Sequence, residues 1–526
     1  MVNIKTSLSA VDAIIFGLYL VGVMAIGIYA SRKRAKTKRD YFLAGDKLPW
    51  WMVGGSIVAA NLSSHQLVGT MGVAYSRGFV AIITEWGSIL LGFNALLWIF
   101  LPFYLRNGFY TMPEFLQKRF GGAARTTYSV LILLTYIFVE IGAVLYLGAL
   151  TIHALLDIPM IWSVLALAII TGAYTIMGGL KAVIWTEMLQ LFVLMFGMAA
   201  LSYFTIKAAG GMSAVMATSK DWHMLLPHND PALPWTMYLG GAVCTSVFYC
   251  ATNQFIVQRT LAAKSEWHAR MGVVFADYLK FLIPFLIIAP ALVAAKMFPN
   301  LEKADLIFPT LVKNLLPSGL VGLVMAGLIA AIMSHLSGAI NSCTTILTMD
   351  IYLPYFRQQA SEGQSVMFGK VSGAIIVVLG ILCTSLLMGH SDKPVFLYLL
   401  NAYGLFTPGI ATMFLMGILS KRTTHAGALT AGLLTVPMSI IMQFLLPDMP
   451  FFNRTGIVFW TCMTVCMTVS YFTVPKPAEE LTGLIWTRSS LALPQAERYQ
   501  QRGLRNPFIW WAIVTVMVLF FYIRFA

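Results

Sequence analysis

The chain has 526 residues, of which 59% are hydrophobic and only 11% charged, with a formal net charge of +14 and a mean hydropathy of +0.78. A soluble domain carries roughly 25% charged residues; this chain has too little polar surface to cover itself in water, so lipid must be its solvent. Its basic residues are scattered over short loops, which excludes a nucleic-acid-binding face and leaves membrane topology and lipid headgroups as their use.

Apolar runs of roughly 20 residues, each long enough to cross about 30 Å of hydrocarbon, recur from end to end. About fourteen spans are predicted: 9–30, 50–75, 79–105, 126–155, 160–177, 183–206, 236–257, 271–297, 319–347, 369–389, 394–419, 424–446, 453–474 and 508–525. The first has no cleavage site of small residues. Ser31-Arg32-Lys33-Arg34 follows it rather than precedes it, so it reads as a retained helix. An N-terminus outside places Arg32, Lys33, Arg34, Lys36, Lys38, Arg39, Lys47, Lys118, Arg119, Arg259, Lys264 and Arg270 on the inner side. Arg357, Lys421, Arg422, Arg488, Arg498, Arg502 and Arg505 join them there, as the positive-inside rule requires. The six cysteines all fall inside predicted spans without metal-ligand spacing, so neither disulfides nor a metal centre is expected.

Two spans are interrupted. In the second, Ala60-Asn61-Leu62-Ser63-Ser64-His65-Gln66 puts five polar side chains at about mid-membrane depth. In the seventh, Thr245-Ser246 and Thr252-Asn253-Gln254 break the run from Met237 to Val257. Unwound backbone at that depth is tolerated where it lines a cavity, and polar groups there also serve as helix–helix contacts; the pattern admits both readings. Two broken helices five spans apart suggest an inverted repeat with a site at its interface. Ionisable residues within spans are Glu85, Glu140, Asp277, Lys280, His65 and His335. Asp277 and Lys280 share a helix face and are placed to pair. Glu85, with Thr84 and Ser88, offers a carboxylate beside hydroxyls, which suits a hydroxyl-rich ligand; proton relay and plain packing are the alternatives. Glu140 is a further carboxylate for packing or for a relay.

Long collinear stretches carry a family resemblance. They are Asp40-Tyr41-Phe42-Leu43-Ala44-Gly45, Leu48-Pro49-Trp50-Trp51 and Ala59-Ala60-Asn61-Leu62-Ser63. Gly178-Gly179-Leu180-Lys181-Ala182-Val183-Ile184-Trp185-Thr186-Glu187 and Gln258-Arg259-Thr260-Leu261-Ala262-Ala263-Lys264 follow. The last runs from Asn341-Ser342 through Thr348-Met349-Asp350-Ile351-Tyr352. In these the chain resembles the sodium:solute symporter family, and within it the bacterial sodium/galactose (sodium/glucose-type) cotransporters. The likeness covers nearly the whole chain and weakens beyond about residue 475.

The resemblance implies an all-α, leucine-transporter-type five-plus-five inverted repeat. One extra helix and a basic loop (1–49) precede a first repeat (50–206) and a second (207–419), and three further helices follow (420–526). It implies a sugar site lined by Asn61, Gln66, Glu85, Ser88, Tyr249 and Lys280. Ser246 and Leu400 stand where the family keeps an Asn and a Gln, so a hydroxyl pattern unlike galactose is expected. The sodium site implied is formed by the carbonyls of Ala59, Leu62 and Ala331 and the hydroxyl of Ser334, but His335 replaces a second hydroxyl. Sodium favours oxygen ligands and imidazole titrates near neutral pH, so four readings stay open: a proton in place of sodium, sodium held with a neutral imidazole nitrogen, a facilitator or sensor without coupling, or a ring turned away into a helix contact.

The expected function is uptake of a sugar, polyol or related solute coupled to Na⁺ or H⁺, without other cofactor, in the plasma membrane (a bacterial inner membrane) as a monomer or loose homodimer. A membrane enzyme would need a nucleophile–base pair or metal cluster, and neither His-x-x-x-His nor Gly-x-Ser-x-Gly occurs. A channel would need a repeated pore loop. The amphipathic connection 299–318 is a candidate outer lid.

Overall fold

The computed structural model describes residues 9–31, 37–218, 222–387 and 395–526. Among the expectations above, Arg32, Lys33, Arg34, Lys36, the span ends at 388, 389 and 394, and the side chains of His65, Thr84 and Leu400 lie outside what it describes. The regular structure of the described residues is helical. The principal helices are α1 (Ala10–Ser31), α2 (Trp50–Asn61), α3 (Thr70–Arg77), α4 (Gly122–Leu134) and α5 (Met160–Ala208). Next come α6 (Gly241–Val247), α7 (Gln254–Leu261), α8 (Glu266–Met297), α9 (Ile307–Leu315) and α10 (Leu320–Ile346). The last five are α11 (Glu362–Leu387), α12 (Val395–Leu419), α13 (His425–Leu445), α14 (Phe451–Phe472) and α15 (Pro507–Arg524).

Among the described residues, 11 helical runs are long and apolar enough to cross a membrane. The predicted segments are more numerous for two reasons. Helix runs Gln66–Arg106 and Met160–Ala208 each join neighbouring segments, and the segment 236–257 is broken into short pieces. Val11, Ile14, Leu18 and Val21 of α1 and Phe192 and Phe196 of α5 are exposed, as a face solvated by lipid tails must be.

The two broken helices meet the demand that every backbone polar group in hydrocarbon be satisfied within the protein. Helix α2 stops at Asn61, Leu62 is extended (φ −78°, ψ 97°), and a π-helical turn over His65–Gly69 leads into α3. The second break follows α6: a π-helical turn (Phe248–Thr252) ends at extended Asn253 (φ −80°, ψ 120°), whose side chain caps α7 by accepting from the Phe255 N–H at 3.0 Å. Three buried tyrosines serve this break. Tyr104 donates to the Ala251 carbonyl at 2.9 Å, Tyr128 to the Thr252 carbonyl at 2.6 Å, and Tyr136 to the Asn253 side chain. Thr245 and Ser246, expected to interrupt the helix, lie inside α6. Short hydroxyl side chains can return a hydrogen bond to their own helix, so they do not break it.

Close helix approaches hold the bundle. A Cβ on Gly54 of α2 would sit 2.4 Å from the Gly272 carbonyl of α8, so only a bare backbone fits there. The long α5 lies along α10 and is divided by Gly179 at φ 58°, ψ −159°, a region open essentially to glycine alone. The connection after α8 folds back on α3: Tyr75 donates to the Phe298 carbonyl at 2.7 Å, and α9 buries Ile307, Phe308, Leu311 and Val312.

At Gly179 an added Cβ would lie 2.5 Å from the Tyr41 carbonyl, on top of a backbone cost of about 1–3 kcal/mol. Gly179→Ala is therefore expected to lower the thermal unfolding midpoint and the monodisperse yield in detergent; a wild-type midpoint would show that this turn is not a constraint.

Candidate functional site

The first break places Asn61 at the end of α2 and Gln66 in the π-helical turn, opposite α8 and the irregular leg that carries Glu85. Lys280 of α8 reaches between them. Its Nζ donates to Asn61 Oδ1 at 2.6 Å and pairs with Glu85 Oε2 at 2.7 Å, while Gln66 donates to the other Glu85 oxygen. All four side chains are at most 5% exposed. An unpaired charge at that depth would cost several kcal/mol, so the lysine and the carboxylate each require the other.

The expected pairing of Asp277 with Lys280 is not what forms. The lysine turns to Glu85, and the buried Asp277 carboxylate oxygens have no hydrogen-bond partner among the described residues. Side chains three apart on a helix are neighbours, but the lysine gains two partners across the bundle, Glu85 and Asn61, and these outweigh its neighbour.

Of the remaining candidates, Ser88 spends its hydroxyl on the Glu85 carbonyl at 2.7 Å. Tyr249, in the turn that ends at the second break, has a buried hydroxyl beside Asn61, and its ring stands edge-on to Tyr403 with centroids 6.3 Å apart. Ser246 lies half-buried on α6, where the leg carrying Glu85 and Ser88 passes so close that a Cβ on Gly92 would sit 2.4 Å from the Ser246 carbonyl. The two broken helices, α8 and this leg thus meet around one polar cluster.

Ala59 and Leu62 flank the last residues of α2, and Ala331 and Ser334 stand on α10, all buried. His335 joins these two elements: its Nδ1 lies 2.9 Å from the Ala60 carbonyl. Its Nε2 lies 2.7 Å from Glu140 Oε2, and Glu140 Oε1 accepts from Tyr403 of α12. The Tyr403 partnership had no sequence signal, since the two residues are 263 positions apart. A second buried ion pair, Glu187 of α5 with Arg259 of α7, is bridged by Ser56 of α2 and also went unread; the membrane-embedded glutamate in the stretch ending at Glu187 was its only sign. A third, Arg125 with Asp350 at 2.7 Å, ties α4 to the end of the long run that begins with α10.

This helical bundle, with two broken helices around a charged cluster, has the leucine-transporter-type fold of ion-coupled carriers. It superposes on a solved Na⁺-coupled sialic acid symporter in a substrate-bound outward-open state with a TM-score of 0.80, over 89% of this chain and 99% of that one, at 21% identity. It also superposes on the nucleobase-cation-symport-1 family transporter MHP1 with a TM-score of 0.54, over 86% of this chain and 99% of that one, at 14% identity. Residues 41–435 match the sodium:solute symporter family. The chain is 35% identical over 490 residues to the sodium/glucose cotransporter of Vibrio parahaemolyticus, covering 86% of this chain and 89% of that protein. It is 33% identical over 534 residues to sodium/myo-inositol cotransporter 2 of Homo sapiens, covering 90% and 78%. The chain belongs to the sodium:solute symporter family, and it is a transporter rather than an enzyme.

Removing one member of the Lys280–Glu85 pair leaves a buried charge, a loss of about 3–5 kcal/mol. Lys280→Met and Glu85→Gln are each expected to lower the unfolding midpoint in detergent, and the Lys280→Met/Glu85→Gln double variant to regain most of it. Additive losses in this double-mutant cycle would contradict the pairing.

Proposed function

We propose that this chain is a secondary active symporter that takes up a sugar or polyol together with a cation by alternating access. The observation that carries the reading is the enclosed cluster of Asn61, Gln66, Glu85 and Lys280 at the break in α2. Its donors and acceptors satisfy one another in this structure, and a ring of hydroxyl groups offers the same partners in exchange. Tyr249 supplies an aromatic face, and Ser88 and Ser246 complete the wall. Relatives named for glucose and myo-inositol support this class of solute. With Ser246 in place of an amide, the pocket offers one fewer long polar arm, which suits a solute with fewer or differently placed hydroxyls than galactose.

The cation belongs where the end of α2 meets α10, at the carbonyls of Ala59, Leu62 and Ala331 and the hydroxyl of Ser334. Sodium is the ion the family name supplies. The repeats 50–206 and 207–419 rock around this site, with the N-terminus outside the plasma membrane and the connection holding α9 over the outer end. A single chain contains the whole site, so a monomer or a loose homodimer suffices.

Counterflow of labelled glucose, galactose and myo-inositol in proteoliposomes tests the assignment. Gln66→Ala removes one polar contact worth about 1–3 kcal/mol, so KM for the preferred solute is expected to rise about tenfold or more. The Lys280→Met/Glu85→Gln double variant is expected to fold yet exchange nothing. Wild-type counterflow in that variant would remove these residues from the site.

A further inference from the structure

Away from the polar cluster lies a cavity of about 540 Å³, within the roughly 300–1,000 Å³ usual for small-molecule sites. Trp98, Arg270, Leu493, Phe508 and Trp511 are among the residues that line it. The helical runs Gln66–Arg106, Glu266–Met297 and Pro507–Arg524 are each long and apolar enough to cross a membrane. Trp98 lies toward the end of the first, Arg270 near the start of the second, and Phe508 and Trp511 in the opening turns of the third. Three spans thus have an end here, which puts the cavity where hydrocarbon gives way to headgroups. Leu491 and Phe508 of its lining are exposed, so the cavity opens outward.

One wall of the cavity is aromatic: the rings of Trp98, Phe508 and Trp511 stand with centroids 5.0 to 6.0 Å apart. Such rings collect at the membrane interface, where an apolar body meets lipid tails and a polar edge meets headgroups. The other wall is cationic. Arg270 is buried, its guanidinium 5.5 Å from the Trp98 ring centroid. Its Nη1 donates to the Leu491 carbonyl at 2.7 Å, and its Nη2 to Glu266 at 2.6 Å and to the Ser490 carbonyl at 2.9 Å. Arg270 Nε and Trp98 Nε1 are both buried without a hydrogen-bond partner among the described residues. Each is a donor, so what each lacks is an acceptor. Glu266 is already shared, since it also takes Nε and Nη2 of Arg106 at 2.9 Å. Glu497, the only acid between residues 488 and 505, accepts the Trp267 N–H at 2.7 Å. That stretch carries Arg488, Arg498, Arg502 and Arg505, all exposed. With Arg106 and Arg270 this makes six arginines against Glu266 and Glu497.

We propose that this cavity binds one anionic phospholipid. The headgroup phosphate supplies the acceptor that Arg270 Nε and Trp98 Nε1 lack, and guanidinium groups suit phosphate oxygens in both charge and geometry. Arg502 and Arg505, next in sequence to the lining residues Gln501 and Asn506, answer the outer charge of the headgroup. The acyl chain lies against Phe508 and Trp511. A free phosphate ion offers the same oxygens but leaves the aromatic wall bare. A second copy of this chain would bring its own surplus of arginines against this one. The proposal goes beyond the carrier reading and stands whether or not a sugar is the solute.

The test uses the full chain purified in a neutral detergent, with phosphatidylglycerol or phosphatidylcholine added in turn and retained lipid counted by native mass spectrometry. Wild type is expected to keep one phosphatidylglycerol in preference to phosphatidylcholine. In nanodiscs, phosphatidylglycerol brominated on its acyl chains is expected to quench tryptophan fluorescence more than brominated phosphatidylcholine does. An arginine beside an anionic lipid contributes about fivefold in affinity. Arg502→Gln/Arg505→Gln, at two exposed positions, is therefore expected to weaken retention by about tenfold or more. Leu491→Trp fills the cavity from an exposed position with every arginine in place, and is expected to abolish retention. Equal retention of the two lipids, displacement of the lipid by inorganic phosphate, a lipid-free dimer, or retention unchanged in either variant would overturn the proposal.

Discussion

Hydrocarbon offers no water to an unpaired polar group, and this constraint arranges the rest of the structure. Interrupting α2 at Leu62 and the seventh helical passage at Asn253 frees carbonyls and N–H groups that lipid cannot satisfy. The protein answers with side chains from distant helices, three tyrosines at the second break and His335 at the first, while Ser64 within the first break donates to the Val144 carbonyl. Each of these contacts also ties a broken helix to a continuous one. The irregular backbone and its buried polar partners therefore depend on each other, and the candidate solute site is the space around which they are organised.

The same constraint accounts for the charges. Lys280 with Glu85, Arg259 with Glu187, Arg125 with Asp350 and His335 with Glu140 are four contacts between buried ionisable groups that cross between elements. Replacing such pairs by apolar residues often leaves a protein equally stable or more so, which makes stability a poor reason for keeping them. On the proposed carrier reading, a buried pair whose members can exchange each other for a solute has a use that apolar packing lacks. Tyr249 lies near both Glu85 and Glu140.

Much of this was legible in the sequence. The spans followed from apolar runs, the first break from the polar heptapeptide at Ala60–Gln66, and the second from Thr252-Asn253-Gln254, while Thr245-Ser246, read as part of the same interruption, stays helical. Membership of the family followed from ordered motifs. Partner choice was less legible. Asp277, one turn from Lys280, looked like its counter-ion, whereas the lysine reaches Glu85, 195 positions away in sequence. Tyr403 of α12 and Ser56 of α2 gave no sign of their roles, because a lone hydroxyl in a span carries no periodic signal and long-range pairing is set by packing. His335 was conspicuous as a departure from the family pattern, but the direction of its ring nitrogens belongs to the three-dimensional structure alone.

The central claim is that the cluster of Asn61, Gln66, Glu85 and Lys280 holds the solute that this carrier moves. Counterflow of a labelled sugar and polyol panel in proteoliposomes reports it directly. Wild type should exchange at least one member of the panel, and the Lys280→Met/Glu85→Gln double variant should fold and exchange none. Wild-type exchange in that variant would contradict the account.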